Sequence, residues 1–309
     1  MGVSPGTYLY SLAQNERTFA TIGSDKSVLL FDGSLQKNFS AHHDGVSCLA
    51  SQSNGFATAG RDGMIRCWDG RAKTATTILS EVQGREISSI ACREHIIAAG
   101  TESSKEGLGD VSVLLYDTRN PSTPLYNYCE SHTDSITQLA FHPAQPNVLL
   151  SASTDGLVSL FDVNQADEED ALQQVLNPRA AVHCAGFLSA TEVYVVTTDE
   201  QYSVYDLSED TSGSALDYGD VREKLQCTYV VDIVNTAQPP ALVFGDHVSQ
   251  KLSVAPLDQS NAWSFGPTID LPGAHGEEIV RDMLLLHAEG RAISCGEDGQ
   301  VKVWDLSGV

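Results

Sequence analysis

Three segments of this chain carry the same residue types at the same spacing. They read HHDGVSCLASQSNGFATAGRDGMIRCWD (42–69), HTDSITQLAFHPAQPNVLLSASTDGLVSLFD (132–162) and HGEEIVRDMLLLHAEGRAISCGEDGQVKVWD (275–305). Each has a His ahead of its first apolar residue, a Thr or Ser, a turn Asp, and an aromatic residue. The three sets are His42, Thr58, Asp62 and Trp68; His132, Ser151, Asp155 and Phe161; and His275, Ser294, Asp298 and Trp304.

A His, a Ser and an Asp also permit a hydrolytic triad, because a triad is recognised by geometry and role rather than by order in the chain. An active site is normally built once. This constellation occurs three times with fixed internal spacing, so we interpret it as a structural unit.

A longer pattern of strand, tight turn, strand and closing Asp occurs seven times along the chain. The closing residues predict third-strand ends near residues 32, 69, 117, 162, 206, 257 and 305. This spacing is near that of a four-stranded propeller blade. The segments are rich in β-branched and aromatic residues and are broken by turn signals such as Asp-Gly. A lone sheet leaves its faces exposed, so the sheets must stack around an axis.

The pattern therefore predicts an all-β fold: one seven-bladed β-propeller over residues 1–309, with four antiparallel strands per blade. Some repeats depart from the pattern. Blade three carries the insertion ESSKEGLGD, and blade five has Tyr205 and Val195 in the Trp and Ser places. Blade six has VAPLD with no aromatic residue. No fourth strand remains after VWDLSGV, so residues 1–5 are expected to supply it.

These segments resemble WD repeats, and the whole chain resembles a seven-bladed WD-repeat β-propeller. The resemblance implies that a loop His, a strand Ser or Thr, a turn Asp and a strand Trp hydrogen-bond in series and lock each blade. The first and third sets match all four places, whereas Phe161 of the second lacks an indole N–H. SHTDSITQLAFHP, DGLVSLFDVN, DEEDAL, DVRE and the GEDGQ turn resemble the WD-repeat-containing protein 89 family and its fungal relatives. Such propellers mostly act as rigid platforms for other proteins.

The charge balance indicates the class of partner. The chain has 41 acidic and 18 basic residues, a formal net charge of −23, and no basic run longer than two residues. Phosphate backbones and anionic membranes attract clustered Lys and Arg, so the sequence argues against direct nucleic-acid or membrane binding. The same field would draw in basic proteins.

The acidic surplus is concentrated in one part of the chain. Residues 162–223 contain 14 acidic and 2 basic residues. The candidate acidic face consists of Asp167, Glu168, Glu169, Asp170, Glu209, Asp210, Asp217 and Asp220. We expect these loops to leave the third strands of adjacent blades and to share one face. They are either solvated loops or a docking surface for a basic client, such as a ribosomal protein or a histone.

Two further motifs suggest an alternative function. WDGR and YDTR place an Arg two residues after the repeat Asp, as in the WDxR docking box of cullin-ligase substrate receptors. The candidate adaptor-docking residues are Trp68, Asp69, Arg71, Tyr116, Asp117 and Arg119. Small and basic residues also follow such repeats for local turn reasons, so both interpretations stay open.

Other functional classes have little support in the sequence. It contains no P-loop, GxGxxG, HExxH or paired Cys/His spacing, so no enzyme activity, cofactor or metal is expected. The seven cysteines are scattered singly and indicate buried residues in a reducing compartment. No apolar run reaches the roughly 18 residues of a membrane span, and no signal peptide is evident. We expect an intracellular protein of the nucleus, the cytoplasm or both.

Overall fold

A computed structural model describes most of the chain. The described residues are 6–16, 18–31, 35–40 (backbone only), 44–53, 55–69, 75–81, 83–105, 108–208, 215–235 and 239–306. Within them the chain forms seven antiparallel sheets, each built from strands that are consecutive in sequence.

The first four sheets, blades one to four, each contain four strands. In chain order these are β1 Leu9–Asn15, β2 Thr18–Gly23, β3 Ser27–Phe31 and β4 Leu35–Ser40; β5 Val46–Gln52, β6 Gly55–Gly60, β7 Met64–Asp69 and β8 Thr77–Ser80; β9 Ile87–Arg93, β10 Ile96–Thr101, β11 Val113–Asp117 and β12 Tyr126–Tyr128; and β13 Ile136–Phe141, β14 Val148–Ser153, β15 Val158–Asp162 and β16 Leu172–Leu176.

Blades five to seven contain the remaining strands. They are β17 Val182–Phe187, β18 Glu192–Thr197, β19 Gln201–Asp206 and β20 Ala215–Asp220; β21 Tyr229–Val234, β22 Ala241–Asp246, β23 Lys251–Asp258, β24 Ser264–Phe265 and β25 Ile269–Pro272; and β26 Val280–Leu286, β27 Arg291–Gly296 and β28 Val301–Asp305. In blade six both β24 and β25 pair with β23. In the described part of the chain two short α-helices, α1 (Glu168–Ala171) and α2 (Val221–Leu225), and two short 3-10 helices (Gln259–Asn261 and His287–Glu289) lie between strands.

The hydrophobic core lies between the faces of neighbouring blades. The second strand of a blade is buried along most of its length, as in β6, where all six residues are buried. Ile65 and Leu79 of blade two pack in one cluster with Ile97 and Tyr116 of blade three. Each sheet thus buries apolar side chains against its neighbours, which is why the blades must form a ring.

The first strand of each blade lies nearest the axis, and β26 of blade seven packs against β1 of blade one. The register of β1 shifts between Leu9 and Ser11, and β13, β17, β21 and β26 shift at corresponding positions. Such bulges re-aim side chains at a sheet edge. Here they direct polar residues toward the axis of the ring.

The predicted seven-bladed propeller with four antiparallel strands per blade is confirmed. The third strands end at aspartates: β7 at Asp69, β11 at Asp117, β15 at Asp162, β19 at Asp206, β23 at Asp258 and β28 at Asp305. Asp32 lies outside the described residues. Blade seven has three strands within the described part of the chain, and residues 1–5, which were expected to close it, also lie outside that part.

Candidate functional site

The third His–Ser–Asp–Trp set forms one continuous hydrogen-bonded series. His275 Nδ1 lies 2.6 Å from Asp298 Oδ1, and His275 Nε2 lies 2.7 Å from Ser294 Oγ. The indole N–H of Trp304 donates to the same Ser294 oxygen at 2.9 Å. Burial lowers the pKa of His275 below its usual 6.5, although Asp298 opposes this shift. A neutral His275 with its hydrogen on Nδ1 gives every donor in the series an acceptor.

The second set lacks the final donor. His132 Nδ1 lies 3.0 Å from Asp155 Oδ2, and its Nε2 lies 2.7 Å from Ser151 Oγ. Phe161 is fully buried and stacks on Tyr128 with ring centroids 5.0 Å apart. Burial raises the pKa of Asp155, but hydrogen bonds from His132 and from backbone N–H groups outweigh it and leave a net lowering.

Part of the first set is described. The indole N–H of Trp68 donates to Thr58 Oγ1 at 2.8 Å, and Asp62 pairs with Arg66 at 2.9 Å. His42 lies outside the described residues. In the two sets where the His is described, its ring is buried and both ring nitrogens are used within the blade. This geometry favours a structural role over a hydrolytic one.

The acidic segment after β15 folds back on the protein. Asp167 caps α1 by accepting the backbone N–H of Glu169 at 3.0 Å. The Glu168 carboxylate accepts backbone N–H groups from residues 129–131, with distances of 3.0 Å for Glu130 and 2.8 Å for Ser131. Successive backbone N–H groups of this kind form an anion-binding concavity. Asp167, Glu169 and Asp170 are exposed, and Glu168 is half-buried.

The other described residues of the predicted acidic face, Asp217 and Asp220, belong to blade five. Asp217 and Asp220 lie on β20 rather than in a loop, and Asp220 pairs in register with Gln201 at the start of β19. Asp220 is therefore at the opposite end of blade five from Asp206, and the expectation that the set shares one face is wrong for it. Asp220 also caps α2 and pairs with Arg222 at 2.6 Å. Glu209 and Asp210 lie outside the described residues.

The residues of the two WDxR-like motifs differ in accessibility. The Trp68 and Tyr116 side chains are buried, and the Tyr116 hydroxyl donates to the Ser80 carbonyl at 3.1 Å. Arg119 is 67% exposed and pairs in a bidentate manner with Asp117, whose pKa this Arg lowers to about 2.

In the first motif, β7 ends at Asp69, and Arg71 lies outside the described residues. Arg119 is therefore the described basic residue of these motifs that a partner could reach.

The bulged first strands enclose a polar cavity of about 660 Å³ at the axis. Hydroxyl groups of blades one to four line it, together with two carboxylates of blades six and seven. The lining includes Ser11, Ser47, Ser88, Thr137, Asp232 and Asp282. Burial raises the pKa of Asp282 to about 7, and the nearby Asp232 carboxylate adds to the rise. Burial also raises the pKa of Asp232.

Side chains around this cavity bind one blade to the next. The Ser88 hydroxyl donates to the Ile136 carbonyl at 2.6 Å, and His183 Nε2 donates to the Val231 carbonyl at 3.1 Å. Asp282 of blade seven accepts the Leu12 N–H of blade one. These residues were not among those predicted from the sequence. The available signal was a polar residue shortly after the start of each first strand.

Metal-binding groups and two of the cysteine thiols can be assessed in the described residues. They contain no group of His, Cys, Asp and Glu side chains that could hold a metal ion. Burial raises the pKa of Cys67 to about 11 and of Cys48 to about 12, so these thiols stay protonated at neutral pH. Within the described ranges no helix is long and apolar enough to cross a membrane.

Comparison with known proteins identifies the family. The family model "WD domain, G-beta repeat" matches residues 33–69, 122–162 and 268–305, which contain the third strands of blades two, four and seven. An uncharacterized WD repeat-containing protein of Schizosaccharomyces pombe, C63.06, is 30% identical over 96% of this chain and 95% of its own length.

This chain belongs to the WD-repeat protein family. A second uncharacterized WD repeat-containing protein, YNL035C of Saccharomyces cerevisiae, is 33% identical over 78% of this chain, and the match spans 61% of the yeast protein. The WD repeat-containing protein 89 homolog of Dictyostelium discoideum is 28% identical over 96% of this chain and 82% of its own length. The predicted resemblance to the WD-repeat-containing protein 89 family is thereby confirmed. WD-repeat propellers typically serve as non-catalytic platforms.

Proposed function

We propose that this WD-repeat propeller is a non-catalytic scaffold that binds a basic protein through the exposed acidic residues of the segment after β15, Glu169 and Asp170. The observation that carries the proposal is the exposed acidic pair Glu169 and Asp170. The pair lies in residues 162–223, which contain 14 acidic and 2 basic residues. Complementary charge accelerates association more than it adds affinity.

The structure divides the acidic residues by role. Three of the carboxylates already accept hydrogen bonds from backbone N–H groups of this chain. Asp167 and Asp220 cap α1 and α2, and Glu168 binds the turn at residues 129–131. Glu169 and Asp170 are exposed, and in the described part of the chain no basic side chain pairs with either. A basic partner would therefore meet these two carboxylates first. Shielding the positive surface of a client before its assembly is the role that this charge suits.

The test is association kinetics with a basic protein returned by crosslinked affinity purification from the native cell. The variant Glu169→Gln/Asp170→Asn should associate several-fold more slowly at low salt. The difference should shrink as salt rises, because the screening length falls from about 8 Å at physiological ionic strength to about 3 Å at 1 M. The matched control Glu277→Gln/Glu278→Gln changes two exposed acidic residues in blade seven. If both double variants and the parent associated with the basic protein at equal rates, Glu169 and Asp170 would be solvated residues with no part in binding.

A second candidate function is that of a substrate receptor for a cullin-RING ubiquitin ligase. The exposed guanidinium of Arg119 supports it, because a docking motif needs a reachable Arg. Under this function Arg71→Ala/Arg119→Ala should abolish co-purification of the ligase adaptor while the melting temperature stays unchanged. Absence of an adaptor from the wild-type purification would exclude this role.

A further inference from the structure

The seven first strands each contribute one equivalent residue to the lining of the axial cavity. In every first strand the pairing with the second strand shifts at a bulge, and the residue at which pairing resumes lines the cavity. In chain order these residues are Ser11, Cys48, Ser89, Gln138, Cys184, Asp232 and Asp282. The first five are uncharged, so the two carboxylates are together in the adjacent blades six and seven.

The charges of the lining do not cancel. Its guanidinium group, Arg281, donates to Glu297 in the turn between β27 and β28. His183 Nε2 is engaged by the Val231 carbonyl. With Arg281 paired in this way, the carboxylates of Asp232 and Asp282 form no ion pair with a Lys or Arg in the described part of the chain.

The groups that face the two carboxylates are neutral. Cys184 and Tyr194 of blade five contact Asp232, and Cys295 pairs in register with Asp282. Burial raises the pKa values of all three well above their usual range, so they stay protonated at neutral pH. The raised pKa values of the two carboxyl groups have the same origin, because burial disfavours a charge that no cation compensates.

The hydroxyl groups around the cavity are directed as acceptors. Ser11 donates to Asp282 at 3.0 Å, and Ser88 and Thr137 donate to backbone carbonyls at 2.6 and 3.3 Å. Ser47 likewise donates to the Ile87 carbonyl. A hydroxyl has one hydrogen and two lone pairs, so these four groups have used their hydrogens and can only accept from a ligand. The wall therefore favours an occupant rich in N–H donors.

We propose that the axial cavity binds a small organic cation through Asp232 and Asp282, with its ammonium or guanidinium N–H groups donating to the surrounding hydroxyl oxygens. The cavity volume of about 660 Å³ suits a small ligand. The described residues contain no group of His, Cys, Asp and Glu able to hold a metal ion, which favours an organic cation. This site is separate from the exposed acidic residues after β15 and goes beyond the proposed scaffold role.

The probes are 1,4-diaminobutane and its neutral counterpart 1,4-butanediol, titrated into the purified full chain by calorimetry. Wild type should bind one diamine and no diol. Asp232→Asn should weaken binding of the diamine about tenfold or more, because the cation still loses its hydration but meets one carboxylate fewer. Asp199→Asn is the matched control, since Asp199 is exposed in the turn between β18 and β19. It should bind the diamine like wild type.

The pH dependence gives a second readout. The pKa of Asp282 is about 7 in the empty cavity, and the cation binds the charged carboxylate. Affinity for the diamine should therefore increase from pH 6 to pH 8, and binding should release protons. Titrations in two buffers of different ionisation enthalpy measure that release. Diamine binding that is independent of pH, without proton release, would contradict the role of Asp282.

A gain of affinity provides a test that does not depend on the folding of Asp232→Asn. Gln138→Glu adds a third carboxylate to the ring of equivalent positions and should tighten diamine binding several-fold. Equal affinities of wild type, Gln138→Glu and a folded Asp232→Asn overturn the site, as does the absence of saturable diamine binding by wild type. Equal weakening by Asp199→Asn would assign binding to the overall charge. Diol binding as tight as diamine binding overturns the choice of a cation.

Discussion

The carboxylate of Asp282 accepts the backbone N–H of Leu12 at 2.7 Å, which joins blade seven to blade one near the axis of the ring. The Ser11 hydroxyl donates to the same carboxylate oxygen at 3.0 Å. The two strands are some 270 residues apart in sequence, so this contact links the two ends of the ring. It also places an ionisable group where burial disfavours its charged form.

We expect this carboxylate to make stability depend on pH. Its pKa is about 7 in the fold and 3.8 when unperturbed. The folded protein therefore binds the proton more tightly, and the contribution of Asp282 is full below 3.8 and is lost as the pH rises through about 7. The loss is at most about 1.4 kcal/mol per pH unit. In urea unfolding, Asp282→Asn should flatten this decline, whereas Glu169→Gln should not. An unchanged slope in Asp282→Asn would contradict the assignment.

The two described His–Ser–Asp sets should differ in how much their serines matter. Ser294 bonds to both His275 and Trp304, whereas Ser151 bonds to His132, and Phe161 in the Trp position of that set has no donor. Each ring nitrogen left without a partner in the interior costs about 1–3 kcal/mol. Ser294→Ala should therefore destabilise more than Ser151→Ala by about the cost of one such group, measured as free energies of unfolding in urea. Equal costs would mean that the Trp304 bond adds nothing.

The fold was predictable because its signal repeats locally. Ser294, Asp298 and Trp304 lie within one hairpin, so their spacing is fixed by the register of β27 and β28 and shows in the sequence. The His lies at a constant distance before that hairpin. Three such units and four weaker ones suffice to define the blades and their number.

The surface could not be predicted in the same way. That Glu168 would bind the N–H groups of residues 129–131 depends on how the connection after β15 packs against the preceding blade. Nothing in DEEDAL distinguishes that carboxylate from its exposed neighbour Glu169. The same holds for Asp282, whose partner Leu12 becomes a neighbour only when the ring closes.

Gly245 in β22 gives a stability prediction that likewise depends on a contact made only in the folded chain. A methyl group there would overlap the ring of Tyr229, whose hydroxyl accepts the Val280 N–H of blade seven at 3.0 Å. Gly245→Ala should cost about 1–3 kcal/mol through overpacking. The double variant Gly245→Ala/Tyr229→Ala should cost less than the sum of the two single variants, since removing the ring removes the overlap. Additive costs in urea unfolding would show that the two sites do not compete for space.

Glu168 and Glu169 are adjacent carboxylates for which the structure predicts opposite effects. Glu168→Gln removes the charge that three successive backbone N–H groups and the Ser131 hydroxyl share, and charge-assisted hydrogen bonds of this kind contribute about 1.5–3 kcal/mol. It should lower the free energy of unfolding and increase hydrogen exchange at residues 129–131. Glu169→Gln should leave both unchanged, since exposed charges contribute little to stability.

For association with the basic partner we expect Glu169→Gln to have the larger effect and Glu168→Gln the smaller, which reverses the order of their effects on the free energy of unfolding. Glu169→Gln should slow association at low salt, because its carboxylate is exposed and meets the partner directly. Glu168→Gln should slow it less, because its carboxylate is already engaged by residues 129–131. Stopped-flow association of both variants with the purified partner, at low and at physiological salt, measures the difference. If Glu168→Gln slowed binding more than Glu169→Gln while the fold stayed intact, the partner would contact the loop at residues 129–131 rather than the exposed acidic residues.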